Sequence, residues 1–147
     1  LASNENFSKL ASSGNSSKLA SSGNSSKLAS SGNYSQLASS GDSSQLASSG
    51  NSSKLASSGN SSKLASSGNY SQLASSGDSS KLDITGLDSV GANIGYNGKI
   101  KGVKGTWITL AEYKDGKCIC MKSAKIDGKK LKENTWYKLE NKKFTEV

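Results

Sequence analysis

The sequence predicts an all-β protein: a β-solenoid with about two nonapeptides per rung, capped by a small C-terminal antiparallel β-sheet. Three observations carry this. A nine-residue phrase, LASSGNSSK and its variants, fills the first half of the chain, with leucine at Leu1, Leu10, Leu19, Leu28, Leu37, Leu46, Leu55, Leu64, Leu73 and Leu82. Apolar residues make up 32% of 147, against about 45–50% in ordinary globular domains, which excludes a large conventional core. From Thr106 onward the repeat gives way to alternating, aromatic-rich segments separated by Asp-Gly turns.

The regular repeat comes first. Serine before the Lys/Gln position is as strict as the leucine (Ser17, Ser26 and onward to Ser89), and glycine holds from Gly14 through Gly23 and Gly50 to Gly77. Residues 10–44 recur letter for letter at 46–80, and Gln45 against Lys81 is the first difference. A fixed period of this kind is the signature of stacked units. Disordered Ser/Gly linkers need no leucine at every ninth position. Short helices fail differently. Capped by Asn15 and Gly23, each would hold only about two turns, and the adjacent Leu-Ala pair makes no i, i+3, i+4 stripe.

Strands meet the pattern. Gly-Asn-x-Ser makes a corner, with glycine expected to supply the positive φ and Asn or Asp to cap backbone amides. Ser-Lys-Leu-Ala-Ser is then a strand facing its two serines and leucine inward, lysine and alanine outward. One nonapeptide cannot enclose an interior. Two make a flattened rung of 18 residues, with a strand on each side and a rise of about 4.8 Å. That register puts Lys9, Lys27, Gln45, Lys63 and Lys81 on one face, and Lys18, Gln36, Lys54 and Gln72 on the other.

The repeat stays regular to residue 82 and continues in degenerate form to 105. There Ile84, Thr85, Ile94 and Val103 stand where serine stood, β-branched residues that suit strands. Residues 1–105 are therefore expected as the solenoid and 106–147 as a capping or oligomerisation unit. Within the latter, TWITLAEY and CICMKSAKI read as two strands around the KDGK turn at Lys114–Lys117. DGKK at Asp127–Lys130 turns again, and TWYKLENKKFTEV supplies one or two more strands. A solenoid end exposes unpaired backbone, and such a sheet would cover it.

Composition narrows the function. There is no histidine and no arginine, so the commonest general base and the bidentate phosphate fork are both absent. Serine is abundant but sits at equivalent repeat positions, which packing explains and catalysis does not require. No enzyme activity, cofactor or metal is expected, and no apolar run is long enough for a membrane span. Cys118 and Cys120 lie two apart on a strand, an incomplete zinc set and a poor disulfide pair, and read as small core residues. The net charge of +8 belongs to the tail: residues 91–147 hold 13 lysines against 6 acids. A candidate binding surface comprises Lys99, Lys101, Lys104, Lys129, Lys130 and Lys132, together with Tyr34 and Tyr70, which recur 36 residues apart on one edge.

The period is similar to the calcium-binding nonapeptide β-roll of secreted bacterial toxins, but GGxGxD is replaced by SSGNSSKLA, with acids only at Asp42 and Asp78. The segment SVGANIG at Ser89–Gly95 loosely resembles the β-roll heads of trimeric autotransporter adhesins. The whole chain resembles uncharacterised repeat proteins of Firmicutes phages, prophages and gut bacteria, which join such nonapeptides to a tail like WITLAEY…SAKIDGKKLKENTWYKL. That resemblance implies a phage or prophage origin and carries no known activity; with the missing acid-base residues, the leading expectation is a non-enzymatic structural or interaction protein that presents a rigid repeat scaffold. The alternatives are an adhesin-like or carbohydrate-binding surface module, and an inhibitor that sequesters a host defence factor or nucleic acid. A protein partner, or a second copy through the C-terminal sheet, is expected. Location would be virion-associated or cytoplasmic; the chain opens in mid-repeat and its sole methionine is Met121, so its N-terminus is expected upstream.

Overall fold

A computed structural model describes residues 1–147. It is all-β. Strands β1 (Ala2–Ser3), β3 (Lys18–Ser21), β5 (Gln36–Ser39), β7 (Lys54–Ser57), β9 (Gln72–Ser75) and β11 (Val90–Asn93) stack in parallel as sheet A. Strands β2 (Lys9–Ser12), β4 (Lys27–Ser30), β6 (Gln45–Ser48), β8 (Lys63–Ser66), β10 (Lys81–Ile84) and β12 (Lys99–Gly102) form the facing sheet B. Each strand pairs with the one 18 residues on, Leu37 with Leu55 in sheet A and Leu46 with Leu64 in sheet B. Two nonapeptides therefore close one rung, and about six turns build a β-solenoid.

Orientation follows the sequence. In Lys54–Ser57, lysine and alanine are exposed while leucine and serine are buried, and the alternation repeats in every regular strand from β3 to β9. The leucines stack into one continuous core running from Leu19 to Leu82 and onward through Ile84, Ile100, Ile108 and Leu110. At several corners the interior serines bond to each other, as in Ser21 to Ser26, Ser30 to Ser35 and Ser48 to Ser53. Ser48 Oγ donates to Ser53 Oγ at 2.8 Å, and Ser53 Oγ donates to the carbonyl of Gly50 at 2.9 Å. A hydroxyl thus closes these corners from inside, while Ser39, Ser57, Ser62, Ser66 and Ser75 keep buried hydroxyls without a partner.

The corners depart from expectation in one respect. Positive φ falls not on glycine but on the residue after Asn: Ser16, Ser25, Tyr34, Ser43, Ser52, Ser61, Tyr70 and Ser79, at 55–60°. Two constraints leave no other position for it. A Cβ on Gly50 would lie 2.0 Å from the carbonyl oxygen of Gly32 in the rung before, so glycine is required for close approach. The Asn position is committed to a ladder, in which Asn33 Oδ1 accepts the amide of Asn51 and Asn51 Oδ1 accepts the amide of Asn69, at 2.8 and 2.9 Å. The left-handed turn passes to the next residue, at a cost of about 1–2 kcal/mol for a non-glycine. Asp serves in this ladder as well as Asn, since Asp42 Oδ1 accepts the amide of Asn60 at 2.7 Å.

The degenerate rungs are repacked in compensating pairs. Ile84 takes a serine position in sheet B, and Gly91 takes the leucine position opposite; a Cβ on Gly91 would already sit 2.5 Å from Ile84 Cδ1. Asn93 does the same at the next corner. Its buried Nδ2 donates to the carbonyls of Ser80 and Lys99, and Gly98 leaves room for it.

The antiparallel strands at the C-terminus form two hairpins that extend the solenoid sheets rather than a separate layer. β13 (Trp107–Lys114) pairs in parallel with β11 and turns antiparallel into β14 (Lys117–Lys125), continuing sheet A. β15 (Tyr137–Glu140) and β16 (Lys143–Glu146) continue sheet B, with Tyr137 opposite Ile100. Asp115 and Gly116 both have positive φ, as do Asn141 and Lys142, the geometry of tight primed turns. Between the hairpins, Ile126, Leu131, Tyr137 and Leu139 close the end of the core.

Candidate functional site

The outward side chains form columns one strand spacing apart, because every rung repeats the one below it. On sheet B one column reads Lys9, Lys27, Gln45, Lys63, Lys81 and Lys99, each directly opposite the next. On sheet A the matching column alternates, Lys18, Gln36, Lys54, Gln72, and ends in Val90 and Trp107. Like charges directly opposite on neighbouring strands repel. Sheet A relieves this with glutamine at every second rung, whereas sheet B leaves Lys63, Lys81 and Lys99 consecutive.

The predicted surface residues fall into three places. Lys99 and Lys101 lie outward on β12. Lys101 is opposite Asp83 and bonded to it at 2.8 Å, and its ammonium stands 5.1 Å from the Trp136 ring centroid, with Lys81 at 6.0 Å on the same ring. Lys129, Lys130 and Lys132 belong to the loop between the hairpins. Lys132 bonds Glu146 at 2.9 Å, and that carboxylate raises its pKa above the ordinary lysine value. The same loop is pinned by Asp127, whose Oδ1 accepts the amides of Lys129 and Leu131 at 2.8 and 3.1 Å; these bonds lower its pKa. Lys104 sits at the corner leading from sheet B to sheet A, against the loop at Gly128.

Tyr34 and Tyr70 occupy that same edge. They stand in one corner column, Ser16, Tyr34, Ser52, Tyr70 and Asp88, two rungs apart, and are 63% and 62% exposed. Corner amides fix the column in register: Tyr34 donates to the carbonyl of Asn51 and Ser52 to that of Asn69, both at 2.8 Å.

One sequence expectation is corrected here. Cys118 is not a core residue, whereas Cys120 packs against the margin of the core. Cys118 is exposed and Cys120 half-buried, because β14 is the free edge strand of sheet A. A bulge places Tyr113 opposite Cys118 and Glu112 opposite Cys120, so strict alternation fails between them. The tail's aromatics divide between the core and the surface. Tyr137 is buried, with its hydroxyl accepting the amide of Lys132 at 2.7 Å, whereas Trp107 points outward and is 51% exposed.

Between the outward columns run shallow open grooves lined by alanine and serine, on sheet A along Ala20, Ala38, Ala56 and Ala74 and on sheet B along Ala29, Ala47 and Ala65. No cluster of three metal-ligating carboxylates or cysteines occurs. The arrangement offers repeated equivalent contacts along a straight axis, so any affinity it has is multivalent in kind.

By fold this is a β-solenoid repeat protein. No protein-family model, curated protein or solved structure matches the chain.

Proposed function

We propose that the protein is a non-catalytic scaffold, a rigid rod that presents outward side chains to a macromolecular partner. One observation carries this reading: through the regular repeats, before the degenerate rungs, variation is confined to the outside. Through the regular strands the buried leucine and serine never change, while the exposed positions exchange Lys for Gln, Asn for Asp and Ser for Tyr. A fixed interior beneath a varied surface is what a display scaffold needs. The resemblance to phage and prophage repeat proteins supports a viral setting.

The test is a surface variant that leaves the interior alone. Lys63, Lys81 and Lys99 become Gln, and Tyr34 and Tyr70 become Ser, residues the repeat itself uses at those columns. Quantitative affinity capture from a Firmicutes lysate, with and without nuclease, should recover a partner with the native protein and lose it with the variant. The thermal midpoint should be the same for both. Identical recovered sets would overturn the scaffold reading, and loss of the partner on nuclease treatment would identify it as nucleic acid.

A further inference from the structure

Tyr34 and Tyr70 sit at corner positions where the repeat otherwise carries Ser, Asp or Asn, apart from Phe7. A bulky side chain at positive φ is an outlier that structure alone does not favour. Neither tyrosine is repaid by burial, and neither phenol forms a hydrogen bond within the chain. Their separation is set by the backbone ladder at two strand spacings, about 10 Å. Between them stands Ser52, which is small. Beside them runs the Asn33, Asn51, Asn69 column, whose Oδ1 atoms are committed to the ladder and whose Nδ2 groups make no bond within the chain. The edge therefore presents two apolar platforms, with amide donors in line between them.

We propose that this edge binds an unbranched β-1,4-linked glycan lying along the rod axis, with Tyr34 and Tyr70 each stacking on a sugar face. In such a chain successive sugars are turned over, so every second one presents the same face, and that disaccharide repeat is about two strand spacings long. The intervening sugar lies over Ser52, and its hydroxyls meet the Asn Nδ2 donors. The column between and around the tyrosines carries no positive charge to hold a polyanion: its only charged member is Asp88, one rung beyond Tyr70, and Lys104 lies farther on, at the end of that edge. The proposal rests on the scaffold reading and names one class of partner for it.

Calorimetric titration with cellohexaose and with chitohexaose tests it and separates a glucose chain from an N-acetylglucosamine chain; maltohexaose, which is α-linked and coiled, is the control. At least one β-linked hexaose should bind and maltohexaose should not. Tyr34→Ser and Tyr70→Ser should each lower the affinity tenfold or more. The decisive variant is Ser52→Tyr with Tyr70→Ser, which keeps two tyrosines but sets them one rung apart; it should lose binding with an unchanged circular-dichroism spectrum. Absence of binding to both β-linked hexaoses, equal binding of maltohexaose, or full binding by the shifted variant would each overturn the proposal. If the hexaoses fail while the surface variant still loses its captured partner, the glycan assignment falls and the scaffold reading stands.

Discussion

The carboxylate of Glu112 on β13 accepts the backbone amides of Asn141 and Lys142, both at 2.8 Å, one on each oxygen. Asn141 and Lys142 form the turn of the other hairpin, so this single side chain ties the extension of sheet A to the extension of sheet B. Successive turn amides make a concave anion nest. Two charge-assisted bonds, half exposed, contribute on the order of 2 kcal/mol together. Glu112→Ala should therefore lower stability by about that much, measured by chemical denaturation. Glu112→Gln, which keeps one acceptor, should lose less. No loss for Glu112→Ala would show that the clamp contributes nothing, and a Glu112→Gln loss as large as that of Glu112→Ala would show that one neutral acceptor retains none of it.

At the corners, Gly50→Ala should be severe although glycine there has an ordinary φ, because the added methyl meets the carbonyl of Gly32. A loss of roughly 3 kcal/mol or more is expected, since backbone must move. Ser52→Gly, two residues on, should instead be neutral or stabilising by up to about 1 kcal/mol, because it relieves the left-handed conformation. Thermal melts of the two variants decide the matter. The reverse order would restore glycine as the residue that makes the turn.

The Ile84–Gly91 exchange can be tested with a double-mutant cycle. Gly91→Leu alone should be strongly destabilising, and Ile84→Ser alone should leave a cavity costing about 2–4 kcal/mol. Together they rebuild the regular rung, and most of the loss should be recovered, an interaction energy well above the roughly 0.5 kcal/mol of independent sites. Additive losses would mean that the two residues do not share space.

Deleting residues 46–81 removes two whole rungs and joins Gln45 to Leu82 in the same sheet and register. The shortened protein should stay folded, with an axis shorter by about 10 Å, as small-angle scattering would measure. Deleting only 46–54 removes half a rung and carries every later strand to the opposite sheet, placing Tyr70 on the wrong edge. That variant should be less stable or aggregate despite losing fewer residues. Indistinguishable behaviour would rule out the 18-residue rung.

How much of this was legible in the sequence depends on how local each constraint is. Leucine at every ninth residue, serine two before it and two after it, and the need of an interior for two walls were enough to derive the 18-residue register and the facing of Lys54, Leu55, Ala56 and Ser57. The first hairpin announced itself through alternation and Asp115-Gly116, whereas the second turns at Asn141 and Lys142 with no such signal. These properties are periodic, so one repeat describes all of them. Only the tertiary structure decided the rest, because the atoms concerned meet after stacking. Gly50 is glycine because of a carbonyl 18 residues earlier, not because of its own dihedral, and this passes the positive φ to Ser52 or Tyr70. Gly91 is empty because Ile84 fills the space across the rod. Glu112 finds its partners 29 and 30 residues away at a turn with no repeat to predict it. Cys118 reaches solvent because β14 is the free edge of its sheet, a place that no alternation pattern records. Local chemistry along the chain set the period and the facing; contacts between rungs and between hairpins determined which residue bears the strain and which surfaces are left open.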